Sequence, residues 1–266
     1  MAVKFRHQSF GRRLKTMLRV DFRRMFTMPL IYILVGVCLV MPILILVMTT
    51  MMDGSVTIDP QTGVETIVEG FDNVWQIIGT VSGEGGMGMS MTGMCNINML
   101  YFLVAVLVGI FVSEDFKSGY AKNIFAIRAR KGDYVASKTL VCIVCGMLMF
   151  LGFFAGAMVG GAIAGLPFDL GSVSVPGVVM CMLSKLLLVA VMVPIDLLWS
   201  VVGRQKTWVS LVGSLCTSML FFMMIPMMTP LNSTMLNVLL CLAGGTLFSV
   251  GLGAASNKLL NSTSLV

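Results

Sequence analysis

The chain has 266 residues, 57% of them hydrophobic and 11% charged, with a formal net charge of +6. Soluble domains carry roughly 25% charged residues, so this composition excludes an ordinary soluble enzyme and points to a membrane protein. Spans of about 20 residues joined by short loops account for nearly the whole length, so residues 1–266 read as a single transmembrane domain.

The N-terminal stretch MAVKFRHQSFGRRLKTMLRVDFRRMF has no apolar core or small-residue cleavage site directly behind its positive charges, and is not expected to be a cleaved signal peptide. Residues 8–26 predict an amphipathic helix. Phe10, Leu14, Met17, Leu18, Phe22 and Met25 recur at helical spacing, with Arg12, Lys15, Arg19 and Arg23 toward the other side. Such a helix lies flat on a membrane surface, and two readings fit its basic face: a lipid anchor, or a contact for a cytoplasmic partner.

Six apolar segments follow, at about residues 30–51, 96–112, 139–164, 178–202, 208–228 and 235–255. Pro226 and Pro230 predict a bent or partly re-entrant approach between the last two. Eight Lys and Arg precede the first segment, six lie between Lys117 and Lys138, and Arg204, Lys206 and Lys258 follow, leaving only Lys185 elsewhere. Lys and Arg in short loops mark the cytoplasmic side. The expected fold is therefore an all-α integral membrane protein with six transmembrane helices, both termini cytoplasmic, preceded by an amphipathic interfacial helix.

Residues 53–95 form the expected extracytoplasmic loop, and from Asp53 to Gly93 they hold six acids and no Lys or Arg. The segment FDNVWQIIGTV predicts an outer interfacial helix with Trp75 at headgroup depth. Beyond it, Met87, Met89, Met91 and Met94 give a spacing that thioether capture of copper(I) would need. A chain with 25 methionines also produces such clusters by chance, as flexible apolar contact surface. Gly152, Gly156 and Gly160 make a small-residue stripe for close helix packing, within the chain or in a dimer. Cys142 and Cys145 form a CxxC inside an apolar run, which favours helix packing over redox or metal chemistry.

In the fourth apolar segment Lys185 and Asp196 are functional suspects, because ionisable groups in spans are expensive. They are eleven residues apart, about 16 Å along a helix, and do not pair directly. One reading has Lys185 snorkelling outward and Asp196 solvated near Arg204; the other has both lining a substrate pathway. Pro194 is expected to bend this helix.

The largest internal cytoplasmic loop, residues 114–138, reads EDFKSGYAKNIFAIRARKGDYVASK and puts nine charged residues into twenty-five positions. Phe116, Tyr120, Ile124, Phe125 and Ile127 alternate with the charges, as in a short interfacial helix broken at Gly132 and Asp133. The loop resembles the cytoplasmic loop between the second and third spans of membrane permeases of type-two ABC exporters, the class that includes drug, bacteriocin-immunity and lantibiotic-immunity exporters. The match runs through Asp115, Phe116, Gly119, Lys122, Asn123, Arg128 or Arg130, Tyr134 and Lys138, with RARKGDY in place of the family's usual serine-arginine pair before the tyrosine.

The resemblance implies a permease in a bacterial cytoplasmic membrane, working as a homodimer or with a similar permease. A separate ATPase subunit would hold the ATP and Mg, consistent with the lack of a GxxxxGK[ST] loop here. This chain would then carry no cofactor, perform no catalysis and bind no nucleic acid. Glu114, Asp115 and the basic residues would set docking of the ATPase, with Phe116, Tyr120 and Phe125 as its anchors. The cargo would be an amphipathic peptide or a hydrophobic antibiotic. An ion-coupled secondary transporter is the chief alternative, and a copper-linked ABC permease a further one.

Overall fold

The computed structural model describes residues 10–58, 65–67, 70–79, 95–126, 130–170, 173–204, 206–222 and 224–262. Arg128 and the four clustered methionines, Met87, Met89, Met91 and Met94, lie outside the described residues. The described chain is almost wholly helical. Helix α1 (Phe10–Thr27) leads into α2 (Pro29–Met52), with Pro29 in the first turn, where its missing N–H leaves no bond unmade. A small antiparallel hairpin, β1 (Val56–Ile58) with β2 (Glu65–Ile67), and two 3-10 turns (Val74–Ile77 and Ile97–Met99) precede α3 (Leu100–Lys117). Then come α4 (Tyr120–Ala126), α5 (Lys131–Ala164), α6 (Val175–Gly203), α7 (Thr207–Phe222), α8 (Ile225–Met228) and α9 (Met235–Ser262).

Among the described residues five helices are long and apolar enough to cross a bilayer: α2, α3 with its leading turn, α5, α6 and α9. The predicted fifth segment instead forms the 16-residue α7 and, past Met224, the single turn α8. The break has a local cause. Continued α-helix would drive the Pro226 ring into the Phe222 carbonyl, so α7 ends there and Pro226 sits in the first turn of a new helix.

Helices α3, α5 and α6 bury 67%, 56% and 61% of their most apolar windows, whereas α2 and α9 bury 28% and 17%. The first three are thus the centre of the bundle and the last two its exposed flanks. α2 packs along α5, α9 along α6, and α7 against α3 and α6. The glycine stripe on α5 packs within the chain: a Cβ at Gly156 would collide with the Leu39 carbonyl oxygen of α2, and one at Gly160 would come within 2.7 Å of the Ile43 Cα. Helix packing in lipid relies on such close backbone approach.

α6 runs through Pro194 as one helix. Pro194 has no N–H to give the Ala190 carbonyl four residues back, and Ser249 Oγ of α9 donates to that oxygen at 3.2 Å. The cysteines are free, and Cys142 and Cys145 are buried along α5.

At one end, α1, the α3–α5 connection and the end of α9 come together. Arg13 Nε lies 2.8 Å from Asp133 Oδ2, and Lys131 Nζ donates to the Leu260 carbonyl at 2.6 Å. At the opposite end the predicted outer interfacial helix is instead a 3-10 turn tucked into the bundle. Val74, Ile77 and Ile78 are buried, Asn73 caps the turn, and Trp75 Nε1 donates to the Phe168 carbonyl at 3.1 Å.

Candidate functional site

The apolar stripe of α1 includes one acid. Asp21 falls three residues after Leu18 and four before Met25, so it points with them toward α5. Asp21 and Met25 are buried, while Arg12, Lys15, Arg19 and Arg23 are exposed on the other face. Lys138, two turns into α5, is fully buried; its Nζ lies 2.9 Å from Asp21 Oδ1 and 2.6 Å from Asp115 Oδ2 of α3. Arg24 Nη1 reaches Asp115 Oδ1 at 2.7 Å. Tyr134 donates its hydroxyl to Asp115 Oδ2 at 2.9 Å, and Ser137 donates to Asp21 Oδ2 at 2.6 Å. Two carboxylates thus face two cations. Charge balance with added hydrogen bonds is the condition under which buried ions are tolerated.

Aromatic rings close the cluster. Lys138 Nζ sits 3.9 Å from the Phe111 ring centroid and Arg24 Cζ 3.7 Å from that of Tyr120. Burial, with the nearby Asp21 carboxylate, raises the Tyr120 phenol above its ordinary value against the pull of Arg24, so Tyr120 serves as a neutral cover.

Gly119, at φ +75°, makes the sharp step from α3 into α4, a backbone conformation that a side chain would strain. Short α4 then lies over the cluster. Phe125 packs edge-on to Tyr134 with centroids 5.3 Å apart, and Phe116 does so at 6.4 Å. Of the residues that the loop motif singles out, Asp115, Phe116, Tyr134 and Lys138 are buried inside this chain. Phe116, expected as an anchor for a partner, is occupied by the chain's own core. Glu114, Lys122, Asn123 and Arg130 are exposed, and Gly119, Tyr120 and Phe125 are half-buried.

The two suspects in α6 are both fully buried, so neither the snorkelling of Lys185 nor the solvation of Asp196 holds. The reason is neighbours: α3, α7 and α9 surround α6 on the relevant faces. Lys185 Nζ donates to Asn98 Oδ1 at 2.6 Å, and the Tyr101 hydroxyl donates to the Lys185 carbonyl at 3.1 Å. Among the described residues neither carboxylate oxygen of Asp196 makes a well-formed hydrogen bond, and the Ser214 hydroxyl lies near the group. A hydroxyl-rich seam runs beside it, with Ser210, Ser214 and Ser218 buried at four-residue spacing on α7 and Ser200 Oγ 2.7 Å from Ser210 Oγ.

Sequence reasoning passed over Asp21, Asn98 and the serine repeat of α7. A signal existed for two of these: an acid on the apolar stripe of a basic helix, and small hydroxyls four residues apart in an apolar run. Asn98 gave none, because only the fold sets it beside Lys185. No protein-family model, no curated protein and no solved structure matches the chain.

Proposed function

We propose that this chain is the membrane-spanning permease subunit of an ATP-driven ABC exporter. A separate ATPase subunit energises it, and it moves, or protects the membrane from, an amphipathic peptide or hydrophobic antibiotic. The observation that carries this reading is mechanical. α4 presents Lys122 and Asn123 outward beside Glu114 and Lys117, and the buried cluster beneath joins it to α1, α3 and α5. A push on α4 is therefore delivered to three helices at once, which is what coupling ATP-driven closure to a membrane pathway needs. In this reading α7 and α8 together make the sixth crossing, both termini are cytoplasmic, the membrane is a bacterial cytoplasmic membrane, and the working unit is a homodimer or pairs with a similar permease.

The resemblance of the loop supplies the class of machine, and the exposed residues narrow the docking surface to Glu114, Lys122, Asn123 and Arg130, with Arg12, Lys15, Arg19 and Arg23 as a second basic contact. Its test is gentle purification of the tagged chain from its native membrane, mass-spectrometric identification of what accompanies it, and an assay of vanadate-sensitive ATP hydrolysis. A stoichiometric ATPase that is lost from the Glu114→Lys, Lys122→Glu double variant supports the reading. Recovery of the chain without an ATPase in several mild detergents overturns it.

A further inference from the structure

Two crevices at the basic end of the bundle are continuous. The first, about 550 Å³, is lined by Arg13, Arg130, Lys131, Asp133, Asn257 and Asn261 among others. The second, about 430 Å³, runs between α5 and α9 over Val135, Leu140, Ile143, Val250 and Gly253. Both are also lined by Gly132 and Asn257, so the polar crevice opens into the apolar one. Among the described lining residues the polar part carries three cations against one carboxylate, and Asp133 is engaged by Arg13 at 2.8 Å. Charge remains for an anion, beside the carboxamides of Asn257 and Asn261. The apolar part follows α9 from Asn257 back to Ser249, about 12 Å, most of one leaflet's share of a roughly 30 Å hydrocarbon core. Leu140 and Val250 are exposed along it, so it faces the lipid side of the bundle.

We infer that these joined crevices hold one anionic phospholipid, its phosphate headgroup among Arg13, Arg130 and Lys131 and an acyl chain in the α5–α9 groove. A cationic pocket at the membrane surface with an apolar groove leading away from it fits that amphiphile, and neither a free anion nor an apolar peptide uses both halves. The site adjoins α4, since Lys131 Nζ lies 5.7 Å from the Phe125 ring centroid, and it shares Arg130 with the proposed docking surface, but lipid retention is read without the ATPase and does not depend on the proposed transport role. Bound there, the lipid bridges α1, α5 and the end of α9, the same elements that Arg13–Asp133 and Lys131–Leu260 tie together.

The experiment is native mass spectrometry of the full chain in mild detergent, titrated with phosphatidylglycerol or phosphatidylcholine of the same acyl chains, with inorganic phosphate as a competitor. Wild type is expected to retain phosphatidylglycerol at least about fivefold better than phosphatidylcholine, a preference reduced to near unity by Arg130→Glu. Gly253→Leu tests the groove: a Cβ there meets only Val135 Cγ1, at 3.9 Å, so a larger side chain fills the crevice without striking backbone. It should weaken retention of either lipid several-fold while leaving thermal stability unchanged. Lys206→Glu, with the same charge change on the exposed turn between α6 and α7, should retain lipid as wild type does. Equal retention of the two lipids, full displacement by millimolar phosphate, or equal losses in Lys206→Glu and Arg130→Glu would each overturn the site.

Discussion

The chain buries ionisable groups in two places, and they are built on opposite plans. At the basic end Asp21, Asp115, Lys138 and Arg24 neutralise one another across three helices. Within α6, Lys185 has a single amide oxygen as its side-chain partner, and the Asp196 carboxylate faces hydroxyls with no cation within ion-pair distance among the described residues. A mutually satisfied cluster fixes geometry, since removing one member strands the others in a dry interior. An isolated group fixes little. The first plan suits an element that transmits force, and the second leaves α6 free to change its surroundings.

Lys138→Met should break the comparison most sharply. It leaves two carboxylates facing each other with only Arg24 to balance them, and should lower stability by about 3–5 kcal/mol, read as an earlier thermal transition in detergent. A triple variant, Asp21→Asn, Asp115→Asn, Lys138→Met, should recover much of that loss, because it removes the stranded charges along with their partner. Were the triple no better than the single, packing rather than charge balance would hold this end. Asp115→Asn alone should cost about 2 kcal/mol, less than Lys138→Met because Arg24, partly exposed, can turn to water.

Effects in α6 should be smaller. Lys185→Met should change stability by about 1 kcal/mol, the loss of an amide contact set against relief of a buried ammonium. Asp196→Asn should change it least, by under about 1 kcal/mol, since no cation is deprived of a partner. A loss above about 2 kcal/mol in Asp196→Asn would mean that the carboxylate holds an ion in the folded chain. The two buried sites would then be built alike.

Legibility followed the same division. Spans and the amphipathic face of α1 could be read from hydrophobic periodicity, because each is decided by residues within about a turn of one another. In the fifth segment hydropathy marks one apolar run through Pro226, and the lost N–H and ring clash at that proline, already a predicted bend, end α7 at Phe222. In the loop, Asp115, Phe116, Tyr134 and Lys138 were read among the residues that dock a partner, whereas the structure buries them inside this chain. Asp21, over ninety residues away, was the missing partner that turns them inward.

What the sequence determined by itself is that this chain consists mainly of apolar helices of bilayer length, with its basic residues concentrated in one set of connections. Hydrophobic length and the high cost of an unpaired backbone in lipid allow little else. Only the tertiary structure decided which charges meet. Asp21 with Lys138, Lys185 with Asn98 and the crevice between α5 and α9 depend on helix rotation and crossing, set by contacts such as Gly156 against Leu39. Those contacts join residues far apart in sequence, so no local pattern encodes them.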